Sequence, residues 1–220
     1  MSKVEKSRSY DARGRLEQAQ RNRENIIEVA RRAFMERGYP ATTIHEVAQL
    51  AGVSVETIYK GFGGKSGLVR AIYQRGLAGR GDKPAPERSD AMSAREVDPR
   101  AIIRHWGALT AEVSPLVSPI LLLVRSAATA DPELAELLRE SDDQRLARMR
   151  QNARMLADRR FLRKGVTVER AAEIMWAYTS PEFYDLLVVG RGWTPDRFGE
   201  FVASALAAAL LPAQKSKPRS

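Results

Sequence analysis

The sequence predicts an all-α protein in two parts, a small three-helix unit at the amino end and a larger helical unit behind it. Three observations carry that expectation. Apolar residues recur at three- and four-residue spacing through most of the 220 residues, and no stretch alternates apolar with polar as a half-buried strand does. The helical runs are punctuated by Gly, and by Ser, Thr or Asp before Pro, the residues that stop and start helices. Positive charge is concentrated at the front: residues 1–80 hold 15 Lys and Arg against 8 Asp and Glu, residues 81–220 hold 21 against 19.

Taken in order, residues 1–20 are polar and basic with little pattern and read as a mobile arm. A helix sets in from about Leu16, with Ile26, Ile27, Ala30, Ala33 and Phe34 on one face. Gly38 followed by Tyr39-Pro40 stops it, because Gly accepts the left-handed cap and Pro cannot continue. Two short amphipathic segments fill 44–51 and 55–62, and 66–77 reads as another helix carrying Leu68, Val69, Ile72 and Tyr73. Residues 79–98 mix Gly, Pro and charge without a period and are expected to be a linker or loop.

Beyond the linker, Pro99 suits a first helical turn, and Ile102, Ile103, Trp106, Leu109 and Val113 form a stripe. Ser114-Pro115 is expected to end that helix and open another, with Leu116, Ile120, Leu123 and Val124. Asp131-Pro132, a cap followed by Pro at the first helical position, starts a third running to about Arg159. A fourth begins near Thr167 and is bent or broken by Pro181. The last runs from Thr194-Pro195 to Leu211-Pro212. The expected division is therefore an arm (1–20), a first domain (21–78), a linker (79–98), a helical domain (99–212) and a disordered tail (213–220).

The stretch TTIHEVAQLAGVSVETIYKGFGGK at 42–65 carries the most chemistry. Ile44, Val47, Ala48 and Ala51 share one face of a first helix, and Ile58 turns inward from a second. Gly52 stands where the chain reverses, Ala48 is small where two crossing helices would collide, and Ser54 is placed to cap the second helix. This is the spacing of a helix-turn-helix, whose second helix enters the DNA major groove. Val55 and Thr57 can touch a thymine methyl, while Thr57, Tyr59 and Lys60 can donate to phosphate oxygens. Lys65 adds a cation at the next helix start, Thr43 caps the first helix, and Ser54 completes the set.

Residues 22–77 resemble the amino-terminal domain of the TetR family of transcriptional regulators. The matching residues are T-T-I-H-E-V-A-Q-L-A-G-V-S at 42–54, V-E-T-I-Y-K-G-F-G-G-K at 55–65, and Leu68. The resemblance implies a helix-turn-helix DNA-binding domain followed by a larger helical domain for ligand binding and dimerisation. It implies a homodimer on a palindromic double-stranded operator, released by a small-molecule effector, most often as a repressor. It also implies base and phosphate contacts at Thr43, Val55, Thr57, Tyr59, Lys60 and Lys65. Two departures stand out: Gly61 replaces a frequent His, and Gly63-Gly64 replaces a more polar pair.

In the second part, Trp106, Trp176 and Tyr178 are the candidates to line a cavity for a small, mostly apolar ligand. The end of the chain also resembles that of many TetR-type proteins, whose last two long helices pair across a dimer. Phe198, Phe201, Val202, Ala205 and Ala209 form an apolar face there with small residues, and Phe201, Ala205 and Ala209 are its dimerisation candidates.

No catalytic role is expected. The two histidines, His45 and His105, lack partners at metal-ligand spacing, and no nucleophile sits in a Gly-x-Ser-x-Gly turn. No metal site and no cofactor are expected. The chain contains no Cys, which excludes disulfides and suits a reducing compartment. Its apolar runs 119–124 and 205–211 are too short to span a bilayer, so a cytoplasmic protein with no membrane partner is expected. The alternative from another class is a basic helical protein that binds nucleic acid or anionic membrane without sequence preference.

Overall fold

The structure is a computed structural model that describes residues 2–81 and 83–213, with side chains from residue 14 onward. Helices account for nearly all of it, and no strand occurs among the described residues. The order is α1 (Ser2–Ala41), α2 (Ile44–Ala51), α3 (Val55–Phe62), α4 (Lys65–Ala78), α5 (Ala85–Arg95), α6 (Pro99–Ala127), α7 (Pro132–Asp158), α8 (Val168–Tyr178), α9 (Pro181–Tyr184) and α10 (Pro195–Leu210). A π-helical turn, Asp185–Val189, continues α9. Chain contacts divide the protein into two compact units, the first running to Ile72 and the second starting at Tyr73, so the boundary falls within α4 rather than at residue 78.

The first unit closes around Ala30, Ala33, Phe34, Val47, Ala48, Ile58, Leu68 and Val69, all nearly inaccessible. Gly38, at φ 78° and ψ 169°, breaks α1 where the Gly-Tyr-Pro signal lies, and Pro40 sits in the short turn beyond. The backbone of residues 2–20, expected as an arm, continues α1 toward the amino end instead. Local propensity allows this, because that segment contains no Pro and Gly14 is its one glycine.

The second unit is built on α6, with α5, α7, α9 and α10 packed around it and α8 against α7 and α10. Its core joins Ile102, Ile103, Trp106, Leu156, Met175, Phe198, Val202, Leu206 and Leu210. At Gly107 the axes of α6 and α10 come so close that an added Cβ would stand 2.4 Å from the Gly199 carbonyl oxygen. Only two facing glycines let helix backbones touch in this way.

Three expectations need correction. Residues 79–98 are no linker, because α5 occupies Ala85–Arg95 within them. Its buried residues are Ala85, Ser89 and Ser93, a face with a four-residue period but without large apolar side chains. Second, α6 does not end at Ser114-Pro115 but runs 29 residues through both Pro115 and Pro119. Each proline removes one helical N–H; Ser114, Val117, Ser118, Ile120 and Leu121, buried around them, hold the helix together by packing. Third, this unbroken α6 is long and apolar enough to cross a bilayer by length and composition, which two shorter helices would not be. In the fold it is the central helix of the second unit. The expected tail at 213–220 lies, except for Ala213, outside the described residues.

Candidate nucleic-acid interface and ligand cavity

The α2–turn–α3 element is assembled by local hydrogen bonds. Thr43 caps α2: its Oγ1 accepts from the Glu46 N–H at 3.2 Å, and the Glu46 carboxylate accepts in return from the Thr43 N–H at 3.5 Å. Such a reciprocal box satisfies two otherwise orphaned donors. Arg37 pairs with the same carboxylate. Beneath the box, the buried Thr42 hydroxyl lies 2.9 Å from the Gly38 carbonyl and 3.1 Å from that of Ala33. At the reversal Gly52 takes φ 68°, ψ 34°, a left-handed conformation that costs glycine little. Its N–H reaches the carbonyls of Ala48 and Gln49.

Ser54 then caps α3, accepting from the Thr57 N–H at 3.2 Å with its hydroxyl 3.1 Å from Thr57 Oγ1. Ile58 is fully buried, which turns Glu56, Thr57, Tyr59 and Lys60 outward and leaves Val55 half-buried. Tyr59 is 53% exposed, a large aromatic ring left open to solvent. The Glu56 carboxyl is held below its ordinary value chiefly by a hydrogen bond from its own backbone N–H, then by Ser54. An unpaired helix N-terminus favours negative charge in this way. Gly63 and Gly64 both have positive φ, 80° and 144°, so the pair that departs from the family pattern serves the backbone path from α3 to α4.

Sequence reading missed how α1 steadies this element. Arg23 donates to the Gly61 carbonyl at 2.9 Å and lies over the Phe62 ring at 4.4 Å. Asn25 donates to the Ala51 carbonyl at 3.2 Å. Both are polar residues on an exposed helix face, and no periodicity marks them. Lys65 is placed over the Tyr39 ring at 4.2 Å with Nζ 3.4 Å from the Pro40 carbonyl.

The second unit holds a cavity of about 360 Å³ whose lining residues all belong to that unit. This lies within the range of small-molecule sites, roughly 300–1,000 Å³. Leu77 of α4, Leu109 and Val113 of α6, Met149 of α7, Met175 of α8 and Leu206 of α10 supply apolar wall. Ser89, Ser114, Ser118, Gln144 and Asn152 supply hydrogen-bonding groups. Trp106 lines the cavity as its position in the stripe suggests, and its indole N–H donates to Ser93 of α5 at 3.1 Å. Trp176 and Tyr178 are not in the wall: Trp176 packs under the Arg145 guanidinium at 4.5 Å, and Tyr178 packs against Phe183 and Phe201.

The helix mistaken for a linker forms one side of this cavity through Ala85, Pro86 and Ser89. Long cations clamp it in place. Arg148 makes paired bonds to Asp90 at 2.7 and 3.0 Å, and Arg159 donates to the carbonyls of Ser93 and Glu96 at the end of α5. Arg88 meets Glu112 of α6 at 2.5 and 3.0 Å, and this pairing lowers the Glu112 carboxyl below its usual range. Tyr73, at the α4 side of the cavity, is pushed up to about 12 by burial and stays a neutral phenol.

On α10, Phe198, Val202, Leu206 and Leu210 face the core, while Phe201, Ala205 and Ala209 lie half-buried on its flank, Phe201 and Ala209 still packed against that core. The apolar face read from sequence is thus graded, from a fully buried stripe to a half-buried flank. Phe201 packs edge-on against Tyr178 and Trp193 at 6.1 and 5.7 Å. Among the described residues no group of three His, Cys, Asp or Glu is placed to hold a metal.

The capped α2–α3 pair, with its outward Thr57, Tyr59 and Lys60, has the form of a helix-turn-helix, and a second helical unit follows it. Residues 26–72 match the family described as bacterial regulatory proteins, tetR family. Over 56 residues it is 48% identical to the HTH-type transcriptional regulator TtgR of Pseudomonas putida, and over 63 residues 38% identical to AcrR of Shigella flexneri. These matches cover 26% and 29% of this chain, and only 27% and 29% of the relatives' own length. Likeness of fold extends further. A SmeT–triclosan complex superposes with a TM-score of 0.67 at 22% identity, covering 87% of this chain and 92% of that one. NalD, the secondary repressor of the MexAB-OprM multidrug efflux pump in Pseudomonas aeruginosa, superposes with a TM-score of 0.67 at 20% identity, covering 88% and 98%.

Proposed function

We propose that the protein is a ligand-responsive transcriptional repressor that binds a palindromic operator as a homodimer and leaves it when a small organic molecule fills the cavity. One observation carries the reading. Helix α4 begins at Lys65, beside the recognition element, and the same helix lends Tyr73 and Leu77 to the cavity wall. A molecule that pushes on those two side chains acts on the helix that follows α3 directly in the chain. DNA favours one separation of two recognition helices, about 34–36 Å for adjacent major grooves; a ligand that favours another weakens DNA binding, and by linkage DNA weakens ligand binding equally.

Within that scheme Val55, Thr57 and Tyr59 meet base edges and sugar-phosphate, and Lys60 and Lys65 meet phosphate. Thr43 and Ser54 hold the two helix starts and add hydroxyls there. Phe201, Ala205 and Ala209 form the contact with a second copy, since small residues let two helices approach closely. The protein acts on DNA in the cytoplasm. The relatives' names support the reading: SmeT is called a repressor of a multidrug efflux pump, as is NalD.

The test is equilibrium binding to the duplex upstream of the protein's own gene, with scrambled duplex as control, over a range of salt. A preference of about 10³-fold or more with two protomers per site supports the reading. Equal, steeply salt-dependent binding to the scrambled duplex and to sites selected from random DNA would reject it.

A further inference from the structure

We infer that the cavity selects organic anions, taking an apolar body against its wall and a carboxylate or comparable oxyanion at Arg145; this rests on the cavity being the effector site. The wall contains two cations, Arg145 and Arg148, and no Asp or Glu. The carboxylates that pair with them, Asp142 and Asp90, stand outside the wall. A concave apolar site lined by one sign of charge focuses that potential on whatever enters.

The two arginines are not equivalent. Arg148 is committed, with paired bonds to Asp90 and a third to the Pro86 carbonyl at 3.3 Å. Arg145 is under-used. One amino group reaches Asp142 at 3.1 Å, the other rests on the neutral Trp176 carbonyl at 2.5 Å, and its Nε–H is buried with no acceptor. Leaving a buried donor unsatisfied is costly, more so on a charged group. The planar face lies on the Trp176 ring, so the guanidinium is held edge-on rather than free to swing. Burial also destabilises its charge, lowering its pKa against the pull of Asp142. An entering oxyanion would supply the missing acceptor, replace a neutral carbonyl with a charge-assisted bond, and relieve the poor solvation.

Tyr73 lies close enough to Arg145 and Asp142 to feel both charges, and as a neutral phenol it adds a second donor at the same corner. The apolar side chains of Leu109, Val113, Met149 and Leu206 require the remainder of the molecule to be hydrocarbon or aromatic. A quaternary ammonium ion of the same size would meet two cations and no carboxylate.

The experiment is titration calorimetry of the full chain with three probes of one shape: 2-naphthoate, 2-naphthalenemethanol and (2-naphthylmethyl)trimethylammonium. The carboxylate should bind at least about tenfold more tightly than the alcohol, the yield of one charge-assisted hydrogen bond, and the ammonium should bind least. Arg145→Gln should bring carboxylate and alcohol within about twofold of each other. An alcohol equal to the carboxylate in the unaltered protein, or an ammonium that binds best, would overturn the inference whether or not the variant folds. A tenfold preference that survives in folded Arg145→Gln would overturn Arg145's part. If none of the three binds, the alcohol included, the cavity reading itself falls.

Discussion

The contact between α6 and α10 allows a stability prediction worked from distances. In Gly107→Ala the new methyl would stand 2.4 Å from the Gly199 carbonyl oxygen and 2.8 Å from Ala203 Cβ. Carbon atoms pack best at about 3.5–4.0 Å, so the axes must separate by roughly 1 Å. Separation of that size forfeits a quarter to a half of the dispersion well for every pair across the contact. Overpacked core sites cost about 1–3 kcal/mol, and Ala returns up to about 1 kcal/mol through its better helix propensity. The net expectation is a loss of about 1–2 kcal/mol. For a chain of this size that is a fall in Tm of about 2–8 °C.

Gly199→Ala should behave alike, because its methyl would meet the Gly107 carbonyl oxygen at 2.4 Å and Ala111 Cβ at 2.8 Å. The double variant should cost less than the two singles together, since one separation serves both. The assay is thermal unfolding followed by tryptophan fluorescence. Trp106, Trp176 and Trp193 are the protein's three tryptophans and all belong to the second unit, so the signal reports that unit alone. An unchanged or raised Tm in Gly107→Ala would refute the backbone contact, as would strict additivity in the double variant.

The other predictions concern the two sites and the clamp on α5. Thr57→Ala with Tyr59→Ala should lower preference for the selected operator by about 1–3 kcal/mol per lost contact, while binding to scrambled duplex changes little; retained preference would remove these residues from readout. Lys60→Ala should weaken binding to all sequences and reduce the salt slope by about one, measured on both duplexes. Ala205→Arg places a cation in the half-buried flank of α10 and should yield a monomer by sedimentation, with weakened operator binding; a dimer at unchanged affinity would place the interface elsewhere. Glu112→Gln should destabilise the protein at pH 7, because a depressed carboxyl contributes stability above its ordinary value of about 4.5. That contribution is lost as the pH falls through the lower folded value, so the two melting curves should converge as the medium is acidified; a gap independent of pH would rule out the ionised pair as its source.

The amino-terminal unit was legible because its signals are local. The Thr43–Glu46 box, the Gly52 reversal, the Ser54 cap and the inward Ile58 all lie within sixteen residues, and each acts through neighbours one helical turn away. The same reasoning placed the starts of α6, α7 and α10 at Pro99, Asp131-Pro132 and Thr194-Pro195. It failed at α5, where Ala85, Ser89 and Ser93 give a buried face too small and polar to register as apolar. It failed again at Pro115 and Pro119, since two lost hydrogen bonds look final until the surrounding helices are present to hold the segment.

Sequence by itself thus determined the helical class, the helix-turn-helix and the residues that α3 turns outward, because caps, turns and period are properties of short stretches. Tertiary structure alone decided the cavity. Its wall takes residues from Tyr73 to Leu206 on seven helices, and no periodicity within one helix encodes which faces will meet. It also graded the α10 stripe from a buried core face to a half-buried flank, and moved Trp176 from ligand wall to a platform beneath Arg145. Burial is a property of the assembled unit: a side chain becomes wall, core or surface only when other helices arrive to cover it.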